Sequence, residues 1–137
     1  MIFMKWGIIG AGLIGGKRAS ALSSLGEKVA AVADVNIARA QELASKYSAA
    51  QFSDWKKITR DGAIDAVVIA TTHDFLSEIS CDALLHGKHV LVEKPAGRNP
   101  AEVLSIIAAQ KKSGKKVAVG FNHRFHPAIM EAKRICD

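Results

Sequence analysis

Three glycines within six residues, Gly10-Ala11-Gly12-Leu13-Ile14-Gly15, lie between an apolar run and an amphipathic stretch. A turn of this kind, leading from a buried strand into a helix, is a cradle for phosphate. Gly10 makes the tight turn, Gly12 lets a pyrophosphate approach the backbone, and Gly15 lets the helix pack closely on the sheet. The helix that starts there offers unpaired N–H groups and a positive dipole end, so Leu13 and Ile14 join the glycines as cofactor-binding candidates.

About 20 residues further on, at the end of the next apolar run, stands Asp34. A carboxylate there accepts hydrogen bonds from the hydroxyls of an adenosine ribose and repels a 2′-phosphate. The next residues are Val35, Asn36 and Ile37, with no arginine among them, so the predicted cofactor is NAD, with NADP disfavoured. A plainer role for Asp34 is to cap the helix beginning near Ile37, and the two roles are compatible.

A second group with chemical potential is Glu93-Lys94-Pro95, directly after the apolar run His89 to Val92. Ligands of open parallel sheets bind outside the carboxyl ends of the strands. A Glu–Lys pair at such an end is aimed at the cleft. Lys94 there could polarise a carbonyl or help move a proton from a hydroxyl. The plainer alternative is a solvated loop lysine.

Other chemistries find little support. The two cysteines, Cys81 and Cys136, have no paired metal-ligand spacing, and no metal site is expected. Cys81 falls on a helical apolar pattern and reads as a small buried side chain, not a nucleophile. The net charge of +6 raises the question of nucleic acid, but the basic residues are scattered. Their main cluster, Lys111, Lys112, Lys115 and Lys116, falls at a helix C-terminus and has no interleaved aromatics to stack bases. Nucleic-acid binding is therefore not expected, and mild attraction for an anionic cofactor is. No apolar run approaches the roughly 20 residues that cross a bilayer. Met1 to Ile9 lacks the long apolar region of a signal peptide, so a cytoplasmic protein is the expectation. Met4 is a possible alternative start, with Met1 to Phe3 dispensable.

The elements that must position these groups follow from periodicity. Continuous apolar strands are expected at Trp6–Ile9, Val29–Ala33, Ala66–Ala70, His89–Val92 and Val117–Gly120. Amphipathic helices are expected at Ile14–Leu25, Ile37–Tyr47, Phe75–His86, Ala101–Ser113 and Pro127–Ile135. Between Ser48 and Asp65 lies a connection with a short helix near Asp54 to Ile58, capped by Ser53 or Asp54. Alternating strands and helices predict an α/β fold of Rossmann type, a doubly wound, mainly parallel sheet with helices on both faces.

Taken in order, four segments resemble the glucose–fructose oxidoreductase/inositol dehydrogenase/rhizopine-catabolism family. They are the glycine turn, Ala70-Thr71, the run Gly87-Lys88-His89-Val90-Leu91-Val92-Glu93-Lys94-Pro95, and Gly120-Phe121-Asn122-His123-Arg124-Phe125. The resemblance spans essentially the whole chain. It implies that Lys94 is the catalytic-region lysine beside the nicotinamide and that Glu93 helps place the cofactor. It also implies that Asn122 and Arg124 line the cleft near nicotinamide or substrate, and that Ala70, Thr71 and Thr72 contact the adenosine–pyrophosphate side.

There are departures from the family pattern. Thr72 stands where a proline is usual, Leu76 where a histidine is common (His73 lies nearby), and His123 and His126 where an arginine and an aspartate are common. Family members run to well over twice this length. Their second domain, an open antiparallel sheet, supplies most of the substrate pocket, usually an aspartate–histidine pair and the face for a homo-oligomer. The resemblance thus implies a dinucleotide-binding domain over 1–124 and, over 125–137, the start of a crossover helix to a domain not contained in this sequence. The implied activity is hydride transfer to or from a sugar, cyclitol or related polyol, with this chain alone binding NAD weakly. The rival reading is a non-catalytic NAD-binding sensor or scaffold.

Overall fold

The computed structural model describes residues 4–137; the expectation that Met1 to Phe3 are dispensable lies outside the described residues. Six strands form one all-parallel sheet: β1 (Lys5–Ile9), β2 (Lys28–Ala33), β3 (Ala50–Phe52), β4 (Ala66–Ile69), β5 (His89–Val92) and β6 (Val117–Val119). Their spatial order is β3-β2-β1-β4-β5-β6, so the chain reverses direction across the sheet between β1 and β4. The helices between them are α1 (Leu13–Ser24), α2 (Ile37–Ser45), the single turn α3 (Lys56–Thr59), α4 (His73–Leu85) and α5 (Pro100–Ser113). A 3₁₀ turn (Asn122–Phe125) and α6 (Pro127–Cys136) follow the last strand. The doubly wound α/β architecture expected from the alternation is the one observed.

Successive strand side chains point to opposite faces, and the core divides accordingly. Ile8, Val32 and Val68 face α1 and α2, where they meet Ala19, Leu22, Ala40 and Leu43. Ile9, Val67 and Ile69 face the other way, towards Ile58, Leu76, Ile79, Leu84 and Ile106 of α3, α4 and α5. All four residues of β4 are buried, which is why that run carries no polar residue. Leu76, at the position where the family commonly has histidine, is fully buried in this second core. Cys81 packs partly buried against the same core, and desolvation pushes its thiol above the usual range. A thiolate nucleophile is disfavoured there, in keeping with its reading as a core side chain.

Two details depart from the expectations. β3 lies inside what the sequence presents as a connection. Ala50 and Gln51 are exposed, and the strand exists because Ala31, Val32 and Ala33 offer it a pairing edge. The short helix begins at Lys56 with Trp55 at its N-cap, not Ser53 or Asp54. Asp54 still serves that end, its Oδ1 accepting the Lys56 N–H at 2.9 Å. α5 follows the expected asymmetry: Asn99 caps it, Pro100 sits in its first turn, and Gly114 closes it in the left-handed conformation.

The two bases directly after Gly87, Lys88 and His89, have structural work. Lys88 is buried, and its ammonium donates to the carbonyl oxygens of Asp61 and, at 2.7 Å, Ile64. His89 Nδ1 accepts the Lys116 N–H at 3.1 Å, tying β5 to the start of β6. Burial first, then the charges of Lys115 and Lys116, push the His89 imidazole below its usual pKa of 6.5, against the pull of Asp65. The native state therefore binds this proton less tightly than the unfolded chain does. Stability from this residue is complete above pH 6.5 and is lost as pH falls through that value towards the lower native one. Thermal melts at pH 7.5, 6.5 and 5.5 should show a falling midpoint, and His89→Gln should flatten the change; equal slopes in both proteins would remove this role.

Candidate functional site

The carboxyl ends of β1, β2 and β4 converge at the point where the strand order reverses, the usual ligand crevice of an open α/β sheet. A cleft of about 350 Å³ lies there. Of the residues singled out from the sequence, Gly10, Gly12, Asp34, Ala70, Thr71 and Thr72 line it together.

The glycine turn is built for close approach. Gly10 has φ +96°, a conformation unfavourable for other residues, and a side chain on it would strike the Ala70 carbonyl. Its N–H donates to the Ala33 carbonyl at 2.8 Å, which pins the turn to the end of β2. A side chain on Gly15 would run into the Gly10 carbonyl, so Gly15 is what lets α1 sit against the turn. Gly12 differs: a Cβ there would meet no atom within 4 Å. Gly12 is also the N-cap of α1 and supplies no capping side chain, and no acidic residue occupies the first turn. The N-terminal N–H groups of α1, at Leu13 and Ile14, thus have no side-chain cap and adjoin open space.

Asp34 holds the turn from the other side. Its Oδ2 accepts the Ala11 N–H at 2.8 Å and its Oδ1 the Asn36 N–H at 2.8 Å. It does not cap α2. That role belongs to Asn36, whose Oδ1 accepts the N–H groups of Ala38 at 3.1 Å and Arg39 at 3.4 Å. Across the cleft, Thr72 is the N-cap residue of α4, and a hydrogen bond from Thr72 holds the Asp74 carboxyl below the usual carboxylate range.

The remaining candidates lie elsewhere. Glu93 and Asn122 come together at the ends of β5 and β6, joined through Arg18. Lys94, joined to Pro95 by a cis peptide bond, is exposed and stands outside the cleft. Arg124 is exposed in the 3₁₀ turn, with its guanidinium 5.5 Å from the Phe125 ring. His73 and His123 are exposed, whereas His126 caps α6, its Nδ1 accepting the Ala128 N–H at 3.2 Å. No group of metal-ligating side chains occurs among the described residues.

Sequence reasoning missed part of the wall. Arg39, Trp55, Phe75 and Ile79 all line the cleft beside Asp34. Arg39 was legible in principle, because a residue one turn into the helix after Asp34 returns to the strand ends. Trp55 was not, because its place depends on β3 and the turn after it.

Comparison with known proteins gives this geometry a context. A family profile described as "Oxidoreductase family, NAD-binding Rossmann fold" matches residues 4–121. Inositol 2-dehydrogenase of Salmonella typhimurium is 31% identical over 98% of this chain and 41% of its own length. Trans-1,2-dihydrobenzene-1,2-diol dehydrogenase of Mus musculus is 36% identical over 96% of this chain and 40% of its own. Among solved structures, UDP-N-acetylglucosamine 3-dehydrogenase from Acidithiobacillus ferrooxidans superposes with a TM-score of 0.88 at 29% identity, over 98% of this chain and 44% of that one. The chain thus spans about two fifths of the length of the curated relatives it matches.

Proposed function

The chain belongs to the oxidoreductase family with an NAD-binding Rossmann fold, and from that membership we propose that it is the cofactor-binding part of a nicotinamide-dependent oxidoreductase. The parent protein transfers hydride to or from a sugar, cyclitol or related polyol, a small-molecule substrate class consistent with the inositol and dihydrodiol dehydrogenases among its relatives. In this reading residues 1–124 are the dinucleotide-binding domain, and 125–137 open the helix leading to a substrate domain that also carries a homo-oligomer face. The protein works in the cytoplasm, where Cys81 and Cys136 stay reduced. No helix among the described residues is long and apolar enough to cross a membrane.

The observation that carries the reading is the open space over Gly12 beside the uncapped start of α1. Backbone N–H groups there receive a pyrophosphate with no side chain in the way. Asp34 holds the turn through Ala11 and presents its carboxylate to the adenosine ribose, which favours NAD over NADP. Ala70, Thr71 and Thr72 close the adenosine–pyrophosphate side, and Trp55 and Phe75 give a flat base an apolar wall. Glu93, Asn122 and Arg124 belong to the nicotinamide end, where the bound cofactor supplies or accepts hydride. Lys94, exposed at the end of β5, holds or moves the proton of the substrate hydroxyl.

Titration with NADH and NADPH, followed by nicotinamide fluorescence, tests the assignment. The chain should bind NADH more tightly, and Asp34→Ala should narrow the preference by about tenfold, the size of one lost charge repulsion and ribose hydrogen bond. An unchanged ratio would leave Asp34 only the anchoring of Ala11 and Asn36. Cofactor binding with no hydride transfer by the complete protein to any member of a polyol panel would replace the enzyme reading with a sensor.

A further inference from the structure

α1 does more than begin at the phosphate cradle. One and a half turns along it, Arg18 reaches across to the ends of two other strands. Its Nε donates to Glu93 Oε1 at 2.6 Å and its terminal nitrogen to Asn122 Oδ1 at 2.7 Å. The side chains of Arg18 and Glu93 retain only 20% and 12% of their exposure, so the pair is largely withdrawn from water. Gly120 makes room for it: a Cβ at that position would stand 2.7 Å from Glu93 Oε2. The cluster therefore joins α1, the end of β5 and the segment after β6 in one charge-balanced unit.

Its place in the sheet says which part of a dinucleotide it serves. Asp34 closes β2, on one side of the strand reversal, and takes the adenosine half under the function proposed above. The other half falls on the β4-β5-β6 side, where Glu93 and Asn122 lie. We propose that Arg18 is a positioning residue that holds Glu93 and Asn122 at the nicotinamide end of the site and neutralises the Glu93 carboxylate there. This rests on the cofactor reading. It adds a residue outside the glycine motif and the Glu93-Lys94-Pro95 run, and it gives that residue an electrostatic task.

The task has a signature that a purely structural role lacks. The oxidised nicotinamide ring carries a positive charge and the reduced ring is neutral. An unpaired Glu93 carboxylate favours the oxidised form, whereas an unpaired Arg18 guanidinium disfavours it. The experiment measures the affinities of this chain for NAD⁺, NADH and ADP at pH 8 and low salt. ADP spans only the adenosine and phosphate end and reports whether the fold and cradle survive.

Arg18→Met should raise the NAD⁺-to-NADH affinity ratio about fivefold, and Glu93→Gln should lower it by a similar factor, with ADP affinity unchanged in both. The double variant should return the ratio to within about twofold of the parent, because the two effects share one pair. Arg18→Lys, which keeps the charge, should stay near the parent ratio. If the ratio is the same in Arg18→Met and Glu93→Gln as in the parent, the inference is overturned. Should Arg18→Met lose ADP binding through misfolding, the shift in Glu93→Gln decides alone. A parent chain that binds neither NADH nor ADP would sink the cofactor reading itself and this inference with it.

Discussion

Gly12→Val is expected to abolish measurable NADH binding, a loss of at least about 100-fold, while the chain stays folded. The two halves of that expectation have separate causes. The space over Gly12 contains no protein atom within 4 Å of a Cβ, and its φ of −75° is one that any residue adopts. An isopropyl group therefore fits the folded chain, at a cost of about 1 kcal/mol for a poorer N-cap. The same group fills the volume through which a pyrophosphate must reach the N–H groups of α1.

Gly15→Val is the informative contrast. Its Cβ would enter the Gly10 carbonyl, so the turn or the helix has to move, and both folding and binding should fail. Circular dichroism and a fluorescence titration on the two variants separate the outcomes. Parent-like NADH affinity in Gly12→Val would mean that no phosphate lies over this turn. Unfolding of Gly12→Val would mean that the turn has less room than its neighbours suggest.

The second large effect concerns stability. Lys88→Met should destabilise the chain by about 2–4 kcal/mol, because it removes the donor from the buried Ile64 carbonyl and from the partly buried Asp61 carbonyl. Methionine keeps most of the volume of the lysine stem, so the loss reports the ammonium and not a cavity. The Asp61 and Ile64 carbonyls that it leaves behind belong to the loop leading into β4, the strand buried on both faces. A chain of this size should lose roughly 10 °C in melting midpoint. Lys94→Met, six residues along the same motif but exposed, should melt as the parent does. Equal melting of the two variants would show that Lys88 is a solvated lysine whose hydrogen bonds are dispensable.

These two lysines mark the boundary between pattern and packing. As sequence they are alike, both polar, both beside the apolar run His89 to Val92. Which one faces solvent at the ligand-facing end of the sheet, and which one is buried against a loop, depends on the end of β5 each occupies. Strand direction in a parallel sheet settles that, and it is a property of the whole fold. The same holds for Asp34. Its position after the second apolar run was legible, but its engagement with Ala11, 23 residues away, appears only when β1 and β2 lie side by side, whereas the cap of α2 by Asn36 is a local contact. The role of Arg18 is hidden in the sequence for a similar reason. Nothing within its own helix distinguishes it, and its partners are 75 and 104 residues away.

The sequence by itself determined the class of fold and the place of the glycine turn. Alternating apolar and amphipathic runs permit few layered arrangements, and three glycines between a strand and a helix are a local requirement of chain geometry. Tertiary structure decided the rest. β3 needed an edge to pair with, the cleft wall needed Trp55 from the turn before α3 and Phe75 from the first turn of α4, and Glu93 needed a counter-charge from α1. Those contacts join residues far apart in the chain, whose meeting is set by burial of the sheet's two faces rather than by any pattern within a single segment.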